Sequence, residues 1–289
     1  MRPLPKPAPL SVTGVPLAPV DVFKLCISVV SDPELKARLR AIAPLIEAAA
    51  EEFDDAAAAR TLHTIAREPV VGGNVTNKEL VKVYTLRMAR AGRPGRIVYE
   101  AILAGAPGDR CPLCGIGTVT TLDHHLPKAK YSRLIVTPNN LVPSCDWCQG
   151  AKRQAHPTSA DNQTMHPYFD DFHSEQWLTA TVQPTTPASF EFSVAPPAGW
   201  NATKAARARH HLKAFELDAL YSSYAGEELT NIRSRLSDLL DSGQAASVRA
   251  HLLEEAASRR AAHLNSWLTA MYEAAANNDW FCAGGFAGV

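Results

Sequence analysis

Two Cys-x-x-Cys pairs, Cys111-Pro-Leu-Cys114 and Cys145-Asp-Trp-Cys148, stand 30 residues apart in this chain. Two such knuckles present four thiolates at the corners of a tetrahedron, which is the closed coordination of structural zinc. One ion held this way ties the stretch between the pairs into a single small module. It also leaves no open position for water. Any chemistry in the chain therefore needs a second site.

The other two cysteines, Cys26 and Cys282, complete a set of six in 289 residues. That is too few for a disulfide scaffold, and the pairing reads as metal binding in a reducing compartment. Cys26, in the apolar run FKLCISVV, reads as a small core residue. Lysine plus arginine and aspartate plus glutamate number 29 each. Overall charge thus gives no attraction for a polyanion, and any nucleic-acid contact must come from local patches.

Residues 1–22 are broken by proline throughout and are expected to be flexible. They contain neither a signal sequence nor an apolar membrane span, so a cytoplasmic protein without a membrane partner is expected. Residues 23–105 read as helical. Ser31 or Asp32 can cap a helix with Pro33 in its first turn, and Pro44 should kink or interrupt it. Thr76 and Glu79 form a capping-box pattern, Gly92 stops the helix they begin, and RIVYEAILAGA follows at helical spacing. Across 106–175 the texture changes to short strand-like pieces, GTVTTLD and SRLIVTP, and a short helix starting near Cys145. Residues 176–289 begin with two β-rich pieces, WLTATVQP and SFEFSVAPP, expected to pair as a hairpin. A helical region follows, with apolar positions from Tyr221 to Leu240 repeating every three or four residues. The predicted class is α+β, mostly helical, with a small metal-bound centre between helical flanks.

Between the cysteine pairs lies LDHHLPKAKYSRLIVTPNNLVPSCDWCQGAKR. The order Asp123-His124-His125-Leu126-Pro127, then Asn140-Leu141, then Cys145-x-x-Cys148-Gln149-x-x-Lys152 resembles the HNH endonuclease family and its ββα-metal motif. The matched segment covers about forty-five residues. The resemblance implies Asp123 as ligand of a catalytic divalent cation, Mg²⁺ or Mn²⁺, and His124 as the general base that activates water. It implies Asn140 as the side chain that ties down the loop between two strands, and Gln149 at the position of a further metal ligand. The family usually has His or Asn there, and glutamine is one methylene longer. Cleavage would leave 5′-phosphate and 3′-hydroxyl ends.

The chemistry asks for these residue types independently of the name. Phosphodiester hydrolysis needs a deprotonated water and positive charge near the leaving oxygen. Histidine ionises near neutrality and can serve as the base. In a regular strand Asp123 and His125 would share one face, which makes His125 the rival as base or ligand. His166 and His156 are the replacements should Gln149 prove unable to bind metal, although the HPYFDDFH segment also reads as a turn packed through Tyr168 and Phe169. Lys128, Lys130, Arg133, Lys152 and Arg153 flank the site and could supply sequence-independent contacts to phosphates, DNA being the expected nucleic acid. A second basic run spans Lys204 to Lys213. The helical flanks could meet an activating partner protein or a second copy of the chain. The rival reading is a zinc-dependent nucleic-acid-binding or partner-binding module whose nuclease site has decayed. An oxidoreductase using the cysteine pairs has no βαβ pattern to support it.

Overall fold

The computed structural model describes residues 3–9 and 14–288. The chain divides into two compact units, Arg2–Asp170 and Asp171–Val289. It is mostly helical, with three separate two-stranded antiparallel sheets among the described residues.

The first unit opens with helices α1 (Pro19–Ile27), α2 (Pro33–Ala41) and α3 (Ala43–Ala59). Asp32 caps α2, its carboxylate accepting from the backbone N–H groups of Glu34 and Leu35. Pro44 sits in the first turn of α3, so the chain breaks at Ile42 where proline cannot continue the preceding hydrogen-bond ladder. A small ribbon, β1 (Val70–Val71) with β2 (Val75–Thr76), leads into α4 (Asn77–Val83). Its capping box is formed as expected, with Thr76 and Glu79 satisfying each other's backbone donors. The end of α4 widens into one π-helical turn, Tyr84–Met88, which closes when the Ala89 N–H donates to the Tyr84 carbonyl. Helix α5 (Arg96–Leu103) follows.

The segment between the cysteine pairs builds strand β3 (Thr121–His124) and strand β4 (Leu141–Ser144), paired with His124 opposite Leu141. Helix α6 (Asp146–Lys152) begins directly after Cys145. SRLIVTP is not a strand. It forms a 3₁₀ turn at Ser132–Leu134 and an irregular loop whose Leu134, Ile135 and Val136 are all buried.

One apolar core holds residues of α1, α2, α4 and α5 together with Leu122, Ile135, Val136 and Leu141 of the strand module. A second packs Phe53 and Ala57 of α3 against Leu126, Tyr131 and Leu134. The expected boundary at 105/106 therefore separates no cores: the helices form the floor on which the module is built. The Pro-rich start is also more ordered than its composition suggests. Helix α1 begins at Pro19, inside the segment expected to be flexible. The Leu4 side chain is buried, and its N–H donates to the Pro167 carbonyl. Residues 1–2 and 10–13 of that segment lie outside the described residues.

In the second unit, β5 (Leu178–Gln183) and β6 (Ser189–Val194) form the expected hairpin. Three helices follow: α7 (Ala202–Ala214), α8 (Leu217–Ala262) and α9 (Trp267–Ala276). Helix α8 is broken at Gln244, whose φ of 62° and ψ of −170° lie outside helical space. Leu220, Tyr221, Ala225, Leu229 and Leu236 form its buried stripe, whereas Tyr224 of the expected stripe is exposed. No helix among the described residues is long and apolar enough to cross a membrane.

Candidate metal centre and nuclease-like site

Cys111 and Cys114, before β3, meet Cys145, at the N-cap of α6, and Cys148 in the first turn of α6, all buried, with their sulfurs within 4.8 Å of one another. The Cys114 and Cys145 sulfurs are 3.8 Å apart. Zn–S bonds of about 2.3 Å at tetrahedral angles separate sulfurs by about 3.8 Å, so the spacing fits a zinc ion. The first knuckle is shaped by its own backbone. The Cys111 N–H donates to the Gly117 carbonyl, and the Gly117 N–H donates to Cys114 Sγ at 3.3 Å. A Cβ at Gly117 would stand 2.6 Å from Cys145 Sγ, so only glycine lets the knuckles close. Cys26, by contrast, is fully buried in the helical core, and burial pushes its thiol up to about 12.

Beside this cluster, β3 delivers Asp123 and His124 as its last two residues. Successive strand residues leave in different directions. The His124 ring, 4% exposed, goes toward α4 and meets Tyr84 edge-on at 4.5 Å. Its Nε2 lies 2.9 Å from the Ile135 carbonyl. Burial holds its pKa down to about 3, assisted by the positive charges of Lys128 and Lys152 and opposed by the Ile135 hydrogen bond. The ring is therefore neutral at physiological pH, and a neutral imidazole bonded to a carbonyl through Nε2–H carries its lone pair on Nδ1.

The Asp123 carboxylate instead meets α6, where Lys152 Nζ lies 2.7 Å from Oδ2 and 2.6 Å from the His124 carbonyl. Lys152 is 4% exposed. This corrects one expectation: Lys152 is not a cation waiting for a phosphate but an internal tie between α6 and β3. Gln149 is exposed on α6, and its position three residues before Lys152 puts it on the same side of that helix. Asp123 and Gln149 are the two oxygen-bearing side chains that the resemblance names as ligands of a catalytic cation. A hard cation such as Mg²⁺ accepts so few protein ligands because it keeps several waters. Among the described residues no group of three or more His, Cys, Asp or Glu side chains surrounds Asp123; only the cysteine cluster is of that kind.

Asn140 lies just before β4, with its side chain turned into the loop that follows His124. Fully buried, it accepts from the Leu126 N–H at 2.7 Å and donates to the carbonyls of Leu126 and Leu134. These bonds stitch the two ends of the loop that follows His124. His125 is buried beyond the strand end, its ring centroid 4.2 Å from that of His166. His166 in turn packs on Phe53, Tyr168 and Phe169. The Tyr168 hydroxyl donates to the Leu141 carbonyl, so this segment is a packed turn, as one of the two readings held.

The basic residues separate into two groups. Arg133 is committed to Glu52 and Glu68 at 3.5 and 3.4 Å, which corrects its expected role. Lys128, above the Tyr84 ring, and Lys130 and Arg153 pair with no carboxylate among the described residues. In the second unit the run from Lys204 to Lys213 is partly committed: Arg207 and His211 are buried and Lys204 reaches Glu175, whereas Arg209 and Lys213 are exposed.

The chain is 32% identical over 236 residues to protein Ea31 of Escherichia phage lambda, an alignment covering 77% of this chain and 79% of that protein. It belongs to the Ea31 family. No family model matches the sequence, and no solved structure matches it. Within this Ea31-family chain, sequence reasoning missed two residues that shape the site. Tyr84 walls His124 and donates to the Leu122 carbonyl, and Ile135 supplies the carbonyl on His124. Tyr84 carried no signal beyond helical periodicity, and a backbone carbonyl carries none in any sequence.

Proposed function

We propose that this Ea31-family chain is a metal-dependent endonuclease of the HNH type that hydrolyses phosphodiester bonds of DNA. The observation that carries the reading is the fixed neutral histidine: His124 is bonded through Nε2 to the Ile135 carbonyl at the end of a strand whose preceding residue is Asp123. The Nδ1 lone pair takes a proton from water, the hydroxide oxygen attacks phosphorus, and the bond to the 3′ oxygen breaks as that oxygen gains a proton. The products are a 5′-phosphate and a 3′-hydroxyl. A divalent cation at Asp123 and Gln149 would neutralise charge on the scissile phosphate and on the leaving oxygen. Asn140 keeps the loop in place while this happens, and Tyr84 holds the His124 ring against rotation. The four-cysteine cluster serves as a structural zinc site, and phage defence or restriction is the setting in which such an activity has a use.

A second reading has its own observation. The Lys152 ammonium already occupies one oxygen of Asp123, and glutamine stands where histidine or asparagine is usual, as in a binding module whose catalytic centre has decayed. A 5′-labelled duplex separates the two. The nuclease reading predicts Mn²⁺-dependent cleavage to fragments with 5′-phosphate ends, lost in Asp123→Ala while zinc content stays at one ion per chain. DNA that is bound but uncut in Mg²⁺ and in Mn²⁺ would favour the binding module.

A further inference from the structure

Three positively disposed groups converge in the first unit from separate parts of the chain. Arg67 follows α3, Lys130 lies on the turn after β3, and His156 lies just past α6. Lys130 Nζ is 2.8 Å from His156 Nδ1, and Arg67 Nη1 is 3.4 Å from His156 Nε2. A neutral imidazole has one acceptor nitrogen and one N–H. Two cationic donors therefore face a ring that can accept from only one of them. No carboxylate among the described residues pairs with Arg67 or Lys130, although Arg133, three residues beyond Lys130, has two.

The cluster is also held in place. The Lys130 and Tyr131 N–H groups both donate to the Pro127 carbonyl, and Asn77 donates to the Lys128 carbonyl and to the Ser132 hydroxyl. Tyr131 is buried under His156, with ring centroids 6.2 Å apart. Partial burial, then Lys130 and Arg67, hold the His156 pKa below its ordinary value, against the pull of the Gln154 carbonyl. An anion would reverse that balance. It would accept from all three groups at once and favour the protonated ring.

We propose that Arg67, Lys130 and His156 form a phosphate-binding subsite that seats a backbone phosphate of the nucleic acid, away from the one presented to His124. The assignment of the phosphate to nucleic acid rests on the nuclease reading; the anion site itself does not. Lys130 lies two residues from Lys128, whose charge interacts with Asp123 and His124, which places the subsite on the loop next to the proposed catalytic residues.

The test uses the full zinc-loaded chain carrying Asp123→Ala, so that DNA stays intact, and measures duplex binding by fluorescence anisotropy across a salt series. Arg67→Gln and Lys130→Gln should each lower affinity several-fold and reduce the log–log salt slope by about 0.9, the value for one phosphate contact on B-DNA. Arg40→Gln, an exposed cation on α2, should change neither. A parallel NMR titration with inorganic phosphate should shift the His156 ring resonances, and Lys130→Gln should abolish the shift. Intact DNA binding with unchanged slopes in both variants would overturn the subsite and leave the nuclease reading standing. A His156 response to inorganic phosphate with no DNA binding at any salt would overturn the assignment to nucleic acid.

Discussion

His124 carries the account at the scale of single residues, and its burial has a consequence for stability. In the unfolded chain its imidazole ionises near 6.5, whereas in the folded protein burial lowers the pKa to about 3. Between those values the unfolded state binds a proton that the folded state does not, so stability is complete above about pH 6.5 and falls as pH drops toward 3. His124→Gln keeps a donor for the Ile135 carbonyl and removes the titration. Urea unfolding at pH 7 and pH 5.5 should therefore show a smaller loss in this variant than in the wild type, by up to about 1.4 kcal/mol per pH unit. Equal losses would mean the ring is not buried neutral. Asn140 makes a second prediction at this scale. Asn140→Ala strands the Leu126 N–H and carbonyl, while the Leu134 carbonyl keeps the Thr137 N–H as donor; each buried group left without a partner costs about 1–3 kcal/mol. Destabilisation of at least about 2 kcal/mol is expected in chemical denaturation, and a loss under 0.5 kcal/mol, on the order of an ordinary surface change, would remove Asn140 from its role.

Among the elements, α4 shows how local chemistry positions the site. Its capping box starts the helix, and its widened last turn aims Tyr84 at His124. The Arg38 hydrogen bond, then the Thr76 backbone N–H, hold the Glu79 carboxyl down to about 2. The box therefore survives mild acid, its contribution being present above about pH 4.5 and lost as pH falls toward 2. Thr76→Ala should cost about 1 kcal/mol, as cap deletions do, and a neutral result in thermal unfolding would contradict the capping role. These features were legible in the sequence because caps, proline breaks and two-residue alternation are local rules. The Asp32 cap, the break before Pro44, the Thr76–Glu79 box and the β5–β6 hairpin all follow from them. SRLIVTP was not legible. Its apolar residues are there to fill gaps between α3 and the strands, and a buried irregular loop looks like a strand when only composition and β-propensity are read. Nor could spacing show that Lys152 turns inward to Asp123 while Arg133 pairs with Glu52 and Glu68, since those partners are fixed by the fold.

Taken as a whole molecule, the chain does not consist of a module with helical attachments. Leu122, Ile135, Val136 and Leu141 share a core with α1, α2, α4 and α5, so the module cannot bury its apolar face alone. A fragment of residues 106–170 should fail to give a cooperative unfolding transition even with zinc, whereas residues 2–170 should fold and hold one zinc ion. A well-folded short fragment would show that the shared core is dispensable. Structural zinc contributes directly to folding, so Cys148→Ser should destabilise the larger fragment as strongly as chelation does. The resemblance at Asp123, His124 and Asn140 leads to the central proposal, that His124 activates water beside a cation at Asp123. Plasmid nicking tests it most directly, with Mg²⁺, Mn²⁺ or EDTA and with wild type, His124→Ala and His125→Ala side by side. Metal-dependent nicking should persist in His125→Ala and be lost in His124→Ala with zinc retained. Nicking by His124→Ala at the wild-type rate would contradict the proposal.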